Sequence, residues 1–251
     1  MIADNLAHTN ILVLDLETLY SADDCRACTL PKEVHPRIMI GAKDPHDWAP
    51  IGWEEKSQLG ISIGCYWDYD DMALHWFDAS SMATVIGLFV RRHPLLVSFN
   101  GILFDFPLMR GVLHAQKNPE LETLCAQFKK DCAESYDILA TIWSTYPAMR
   151  MIKGVCGLDA LCVANDLPRK TMDGKTAPKA WREGHYAELI AYNVGDVLAT
   201  KALFERIVVT EGMYILERTR ARLWRKLPAP PALPAYIRAG SPRRHGYQPI
   251  A

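Results

Sequence analysis

Apolar and polar residues alternate in distinct ways along the chain, and each pattern predicts an element. Asn10 to Leu16 (NILVLDL) is a short, nearly continuous apolar run, which predicts a buried strand. Ile61 to Tyr69 alternates and is rich in β-branched and aromatic residues, predicting a second strand. Asp70-Asp71 supplies a turn, and Met72 to Asp78 reads as its hairpin partner. Ser80 or Ser81 is placed to N-cap a helix running to about Arg92, which His93-Pro94 breaks. Leu95 to Ser98 is a fourth, buried strand. Phe104 to His114 predicts a helix with Pro107 in its first turn, where the missing N–H costs nothing. Residues 119–131 predict another helix, Tyr136 to Trp143 fits either strand or helix, and Leu158 to Ala164 predicts a short helix. Trp181 to about Arg225 predicts one long amphipathic helix or two, with Gly184, Gly195 and Gly212 as points of interruption.

Two stretches lack this periodicity. Residues 20–59 hold Pro31, Pro36, Pro45 and Pro50 among scattered charges and read as an irregular insertion. From Leu227 onward six prolines fall within 24 residues, predicting an extended tail. The expected organisation is an α/β domain over residues 1–210, a mixed β-sheet flanked by α-helices, followed by a basic C-terminal helix and a Pro/Arg-rich tail over 211–251.

Composition changes this picture in four places. The 251 residues are 49% apolar and 23% charged, which excludes wholesale disorder, and the length suffices for a core without disulfide staples. No apolar run is long enough to cross a membrane, and the first residues lack the pattern of a secretory signal, so a cytoplasmic protein is expected. The net charge of −1 hides an asymmetry: residues 211–251 carry eight Lys/Arg against two acids, or +6, leaving −7 for the first 210. A basic tail suits a polyanion or an acidic partner. Seven cysteines, an odd number, fit free thiols in a reducing compartment. Cys25 and Cys28, with His35 and His46 beyond them, make a Zn site conceivable, although a second ligand pair at metal spacing is missing.

Three acidic segments carry the candidate chemistry. In Asp15-Leu16-Glu17-Thr18 two carboxylates sit at i and i+2, on one face of a strand end, where they repel unless a cation joins them. In Asn100-Gly101-Ile102-Leu103-Phe104-Asp105 a strand runs into a Gly-containing turn and an Asp opens the next helix. In Tyr192-Asn193-Val194-Gly195-Asp196 the Tyr and Asp share a helix face at i and i+4. Each alone has an ordinary reading: an acidic turn, a helix cap, a half-buried tyrosine.

Taken in order, DxE on a strand, NGxxFD after a strand and YxxxD near the end resemble the DEDD superfamily of 3′–5′ exonucleases on a ribonuclease H-like fold. YxxxD matches the Tyr-containing, or DEDDy, branch; the His-containing branch would want His where Ala191 stands. The resemblance spans roughly Asn10 to Arg206 and is strongest to the exonuclease domain of family B DNA polymerases and their stand-alone relatives. It implies that Asp15, Glu17 and Asp196 hold one divalent ion and that Asp15 also holds a second, with Asp105 contributing directly or through water, the ions being Mg²⁺ or Mn²⁺. Two such ions clamp an in-line phosphoryl displacement. Tyr192, with an ordinary pKa of about 10, would orient the attacking water and not act as a base. Thr18, Asn100 and Phe104 would contact the terminal nucleotide, although Phe104 also suits a core position.

The activity this implies is hydrolysis from the 3′ end of single-stranded DNA, releasing nucleoside 5′-monophosphates. An exoribonuclease with the same site, or a non-catalytic nucleic-acid-binding module on the same fold, are the alternatives. Lys170, Lys175, Lys179 and the C-terminal arginines are candidates to hold the strand. Asp137 and Asp159 read as structural acids. Proofreading, if any, would act in trans, with a DNA polymerase or a replication or repair protein as partner.

Overall fold

In a computed structural model, the described residues are 6–24, 26, 29, 31, 50–52, 56–219, 221–231 and 233. Most of the 20–59 insertion, the Cys25/Cys28 pair with His35 and His46, and the arginines at 220, 238, 243 and 244 lie outside them.

Strand β1 (Ile11–Thr18) is the centre of the molecule. It pairs antiparallel with β2 (Ile61–Asp68), which pairs antiparallel with β3 (Ala73–Phe77). On its other side β1 runs parallel to β4 (Leu95–Ser98), and β4 to the two-residue β5 (Tyr136–Asp137). The sheet order is β3-β2-β1-β4-β5. Helices α1 (Met82–Arg92), α2 (Asp105–His114) and α3 (Pro119–Ala133) follow β3 and β4 in the chain. After β5 come α4 (Ile138–Thr145), α5 (Leu158–Ala164), the short α6 (Ala177–Arg182) and the 25-residue α7 (Tyr186–Thr210). This is a mixed five-stranded sheet flanked by helices, consistent with a ribonuclease H-like exonuclease fold.

The continuous apolar run of β1 follows from its position. A central strand covered on both faces needs apolar side chains in both directions. Leu12, Leu14 and Leu16 enter a core shared with Phe89, Phe106 and Phe128 of α1, α2 and α3. Ile11 and Val13 enter a second core with Leu189, Val197 and Phe204 of α7. By the two-residue period Asp15 and Glu17 continue this second face, so the polar residues of β1 point toward α7 at the strand's C-terminal end.

Several expectations are corrected. Ser81 occupies the N-cap of α1 but makes no side-chain cap; instead the Asp78 carboxylate accepts the backbone N–H groups of Ser80 (2.9 Å) and Ser81 (3.1 Å). Tyr136 to Trp143 is both of the alternatives in turn, a strand pair followed by a helix. The one or two helices expected from Trp181 to about Arg225 are interrupted at Gly184, one of the three glycines named for it, whose φ of +79° leaves the helical region, and the chain resumes as α7. Gly195 does not interrupt it. The segment beyond Thr210 is not helical: β6 (Gly212–Leu216) and β7 (Arg222–Lys226) form an antiparallel hairpin. Glu211 turns the chain with φ +54°, and a side chain on Gly212 would meet the Arg225 carbonyl at 2.3 Å, so that close strand pairing needs glycine there. Met213 and Ile215 join the α7 core, which anchors the hairpin to the main body.

Candidate active site

The site forms where the C-terminal end of β1, the loop after β4, the middle of α7 and the α5–α6 loop converge. β1 supplies Asp15 and Glu17 on its α7 face. Tyr192 and Asp196, one helical turn apart, face back toward the sheet from α7, and both are buried. Ligand oxygens of Asp15, Glu17 and Asp196 all lie within 4.8 Å of one another. Asp105, at the start of α2, is buried outside that set; its carboxylate accepts a backbone N–H from Leu16, between the two β1 acids. Its Oδ1 is buried without a hydrogen-bond partner.

Four carboxylates this close and this dry disfavour ionisation. Burial, then the charges of Asp105, Asp196 and Glu17, hold the Asp15 carboxyl well above its usual range. Burial and then Asp196 do the same to Glu17. Asp105 is pushed up to about 7, by burial first and by Asp137 second. Asp196 is raised by burial, with Lys170 opposing. Burial and the charges of Glu17 and Asp196 raise the Tyr192 phenol, so it stays protonated at neutral pH.

The surrounding residues hold this arrangement in place. Asp137 caps α4 by accepting the Ala140 N–H at 3.0 Å, and the same carboxylate accepts the N–H groups of Asn100 and Ile102, each at 3.0 Å. Those bonds fix the turn after β4, where Asn100 has φ +69°, and thereby deliver Asp105 to the site. Asp159 grips Arg169 at 2.8 Å and the Lys170 N–H at 3.2 Å, pinning the α5–α6 loop. Lys170 reaches inward and donates to the Tyr192 hydroxyl at 3.0 Å and to Asp196. A side chain on Gly174 of the same loop would lie 3.2 Å from the Tyr192 hydroxyl and 4.0 Å from Glu17 Oε2, so the loop passes close against the site there.

All five predicted catalytic residues therefore meet at one place. Thr18 ends β1 beside them, buried, where the β1–β2 register shifts. Asn100 is half-buried on the turn, and Phe104, also half-buried, packs in part against the core, a placement compatible with both of its readings. Ile102 and Leu103, 39% and 51% exposed on the same turn, are the apolar side chains that face solvent beside Asp105. Three assignments were not made from sequence. Asn193 is fully buried and donates to Asp15 Oδ2 at 2.7 Å, which its position next to Tyr192 would have signalled. Gly174 lines the site. Lys170 sits on the acids, not on the outer surface where a strand-holding lysine would be expected.

The donor set fits hard divalent cations: three carboxylates within reach of one ion, and a fourth with an unpartnered buried oxygen alongside. A second set at the β2–β3 turn, Asp68, Asp71 and His75, has similar spacing. It is already satisfied: Arg92 forks onto Asp68, and His75 bonds Asp71 at 2.8 Å. Among the described residues no helix is long and apolar enough to cross a membrane. The described cysteines Cys65, Cys125, Cys132, Cys156 and Cys162 are free thiols.

An α/β sheet carrying a buried carboxylate trio of this spacing could hold a metal ion at the end of its central strand. The family-level match is specific: residues 78–225 match the model of predicted 3′–5′ exonucleases related to the exonuclease domain of PolB, and the chain belongs to that family. The matched stretch contains Asp105, Tyr192 and Asp196; Asp15 and Glu17 precede it and join the site through the pairing of β1 with β4. Among curated proteins, none matches the chain.

Proposed function

We propose that the protein is a DEDDy-type exonuclease that removes nucleotides from the 3′ end of single-stranded DNA with two divalent ions, Mg²⁺ or Mn²⁺, releasing nucleoside 5′-monophosphates. The observation that carries this reading is the convergence of Asp15, Glu17 and Asp196 within 4.8 Å, with Tyr192 one turn from Asp196.

In this reading Asp15, Glu17 and Asp196 hold one ion, and Asp15 with Asp105 holds the other. The ions supply positive charge at the scissile phosphate and a water of lowered pKa. The unpartnered Oδ1 of Asp105 and the raised carboxyls support cation binding here. Tyr192 keeps its proton, so it orients the attacking water by hydrogen bonding and is not the base. Ile102 and Leu103, exposed on the turn that carries Asp105, offer apolar surface to the terminal base. Thr18 and Asn100 flank it. Lys175 and Lys179, exposed on the loop and helix beside the site, suit the phosphates of the following nucleotides. A polymerase or repair protein acting together with the enzyme remains a proposal on the same footing.

The test is a 5′-labelled oligonucleotide offered as single-stranded DNA, duplex DNA and RNA of one sequence, with Mg²⁺ and with Mn²⁺. Wild-type protein is expected to shorten single-stranded DNA fastest, and Asp15→Ala and Asp196→Ala to abolish shortening while remaining folded. Undiminished activity in both variants refutes the assignment; faster trimming of RNA replaces DNA with RNA as substrate.

A further inference from the structure

We propose that Lys170 is a built-in counter-cation of the carboxylate cluster, which an incoming divalent ion displaces from Asp196. The inference rests on the metal-binding reading of the site and adds to it a competitor supplied by the chain itself.

The geometry of the loop supports this. Asp159 holds the Lys170 backbone N–H and the Arg169 side chain, so the chain is fixed on the outer side. From that anchor the Lys170 stem passes the Tyr192 ring, with Nζ 5.2 Å from its centre. The ammonium then bonds the Tyr192 hydroxyl and Asp196 Oδ2. Asp196 belongs to the trio whose oxygens converge within 4.8 Å. An ammonium hydrogen-bonded to that carboxylate and a cation coordinated by it draw on the same lone pairs. The charge of Lys170 also acts on Asp15, Glu17 and Asp105, so one ammonium serves the whole cluster.

The exchange has a route. The Lys170 side chain is 27% exposed, and its four-carbon stem can swing the ammonium to solvent while the backbone stays pinned. Four carboxyl groups facing one ammonium disfavour full ionisation, whereas two divalent ions would allow all four to ionise. Once Lys170 leaves, the Tyr192 hydroxyl oxygen loses the donor it now accepts from and becomes available to substrate water.

Two measurements on the full-length protein test the exchange. The first is Mn²⁺ titration by calorimetry of wild type, Lys170→Met and Lys170→Arg. Lys170→Met is expected to bind Mn²⁺ roughly tenfold more tightly than wild type, since a competing unit charge a few ångströms away is gone, and Lys170→Arg to stay near wild type. The second uses wild type alone, so it does not depend on a variant folding: reductive methylation of Lys170, followed by mass spectrometry in EDTA and in Mg²⁺. Faster labelling in Mg²⁺ is expected. Lys170→Met binding no more tightly than wild type overturns the exchange. So does labelling that is equal or slower with Mg²⁺, even where Lys170→Met binds more tightly, because charge repulsion without displacement would then account for the affinity. If neither wild type nor Lys170→Met binds Mn²⁺, the metal-binding reading of the site fails and the exchange with it.

Discussion

The carboxamide of Asn193 donates to Asp15 Oδ2 at 2.7 Å, joining the long helix α7 to the central strand at the point where the carboxylates meet. Asn193 lies next to Tyr192, so a single helical segment presents the hydroxyl and orients the acid that both ions are proposed to share. Residues that orient metal ligands contribute about 10–100-fold in affinity or activity. Asn193→Ala is therefore expected to lower the rate of oligonucleotide shortening by roughly that factor and to weaken Mn²⁺ binding, with the protein still folded. Kinetics and calorimetry on the one variant check both; an unchanged Mn²⁺ affinity would remove Asn193 from this role.

Asp137 carries a heavier structural duty. Its carboxylate accepts three backbone N–H bonds, one capping α4 and two fixing the turn that delivers Asp105. A lost cap costs about 1 kcal/mol and a charged hydrogen bond about 1.5–3 kcal/mol. Asp137→Ala is expected to destabilise the protein by roughly 3–5 kcal/mol, counting the buried donors left unpaired. Chemical denaturation measures this, and a loss under about 1 kcal/mol would mean that the turn is held by other contacts.

Much of this was legible in the sequence, for physical reasons that differ between elements. The run at Ile11–Leu16 is apolar on both faces because β1 is central, and the acids interrupt it where the chemistry sits. Short, punctuated helices such as Leu158–Ala164 were bounded correctly, since Gly157 and the turn after Ala164 mark their ends. The hairpin at 212–226 was not legible. Its residues keep an amphipathic pattern continuous with α7, and only the left-handed turn at Glu211 and the backbone contact at Gly212 end the helix. Within the site, Asp15, Glu17, Asp105, Tyr192 and Asp196 could be read from motif order. Lys170 and Gly174 could not, because their roles depend on how a loop approaches β1 in three dimensions; Asn193 offered only its place beside Tyr192 as a signal.

The described basic residues include cations of two kinds. Arg222 forks onto Asp166, with bonds of 2.9 and 2.6 Å, Arg225 pairs with Glu217 and Lys226 with Glu211. The first ties the hairpin to the body, the second lies within the hairpin and the third closes its base, so all three cations are already engaged. Lys175, exposed on the loop that reaches the site, is placed to meet a phosphate. Lys175→Gln is expected to weaken single-strand binding and to reduce the slope of log affinity against log salt by about 1, whereas Arg222→Gln leaves the slope unchanged. Fluorescence anisotropy across a salt titration distinguishes them, and equal slopes for wild type and Lys175→Gln would exclude Lys175 from the strand path.

Asp105 links the electrostatics of the site to the stability of the fold. Burial first, and the Asp137 charge second, raise its carboxyl from an ordinary 3.8 to about 7. A group whose folded value is raised contributes stability that is whole below its unfolded value and is lost as pH rises through the folded value. In chelator, the wild type should therefore lose stability relative to Asp105→Asn as pH rises from 5 to 8, by roughly 2–3 kcal/mol, with most of the change complete by about pH 7. The comparison is of slopes, so a constant cost from burying the carboxamide of the Asp105→Asn variant does not affect it. A divalent ion acts in the opposite direction, because it binds the ionised carboxylate and releases a proton. Wild-type affinity for Mg²⁺ or Mn²⁺ should accordingly rise with pH through about 7, more steeply than that of Asp105→Asn. Thermal melts of both proteins in EDTA and in Mg²⁺ across this range measure the two effects together. Parallel stability curves for wild type and Asp105→Asn in EDTA would show that Asp105 does not titrate in this window.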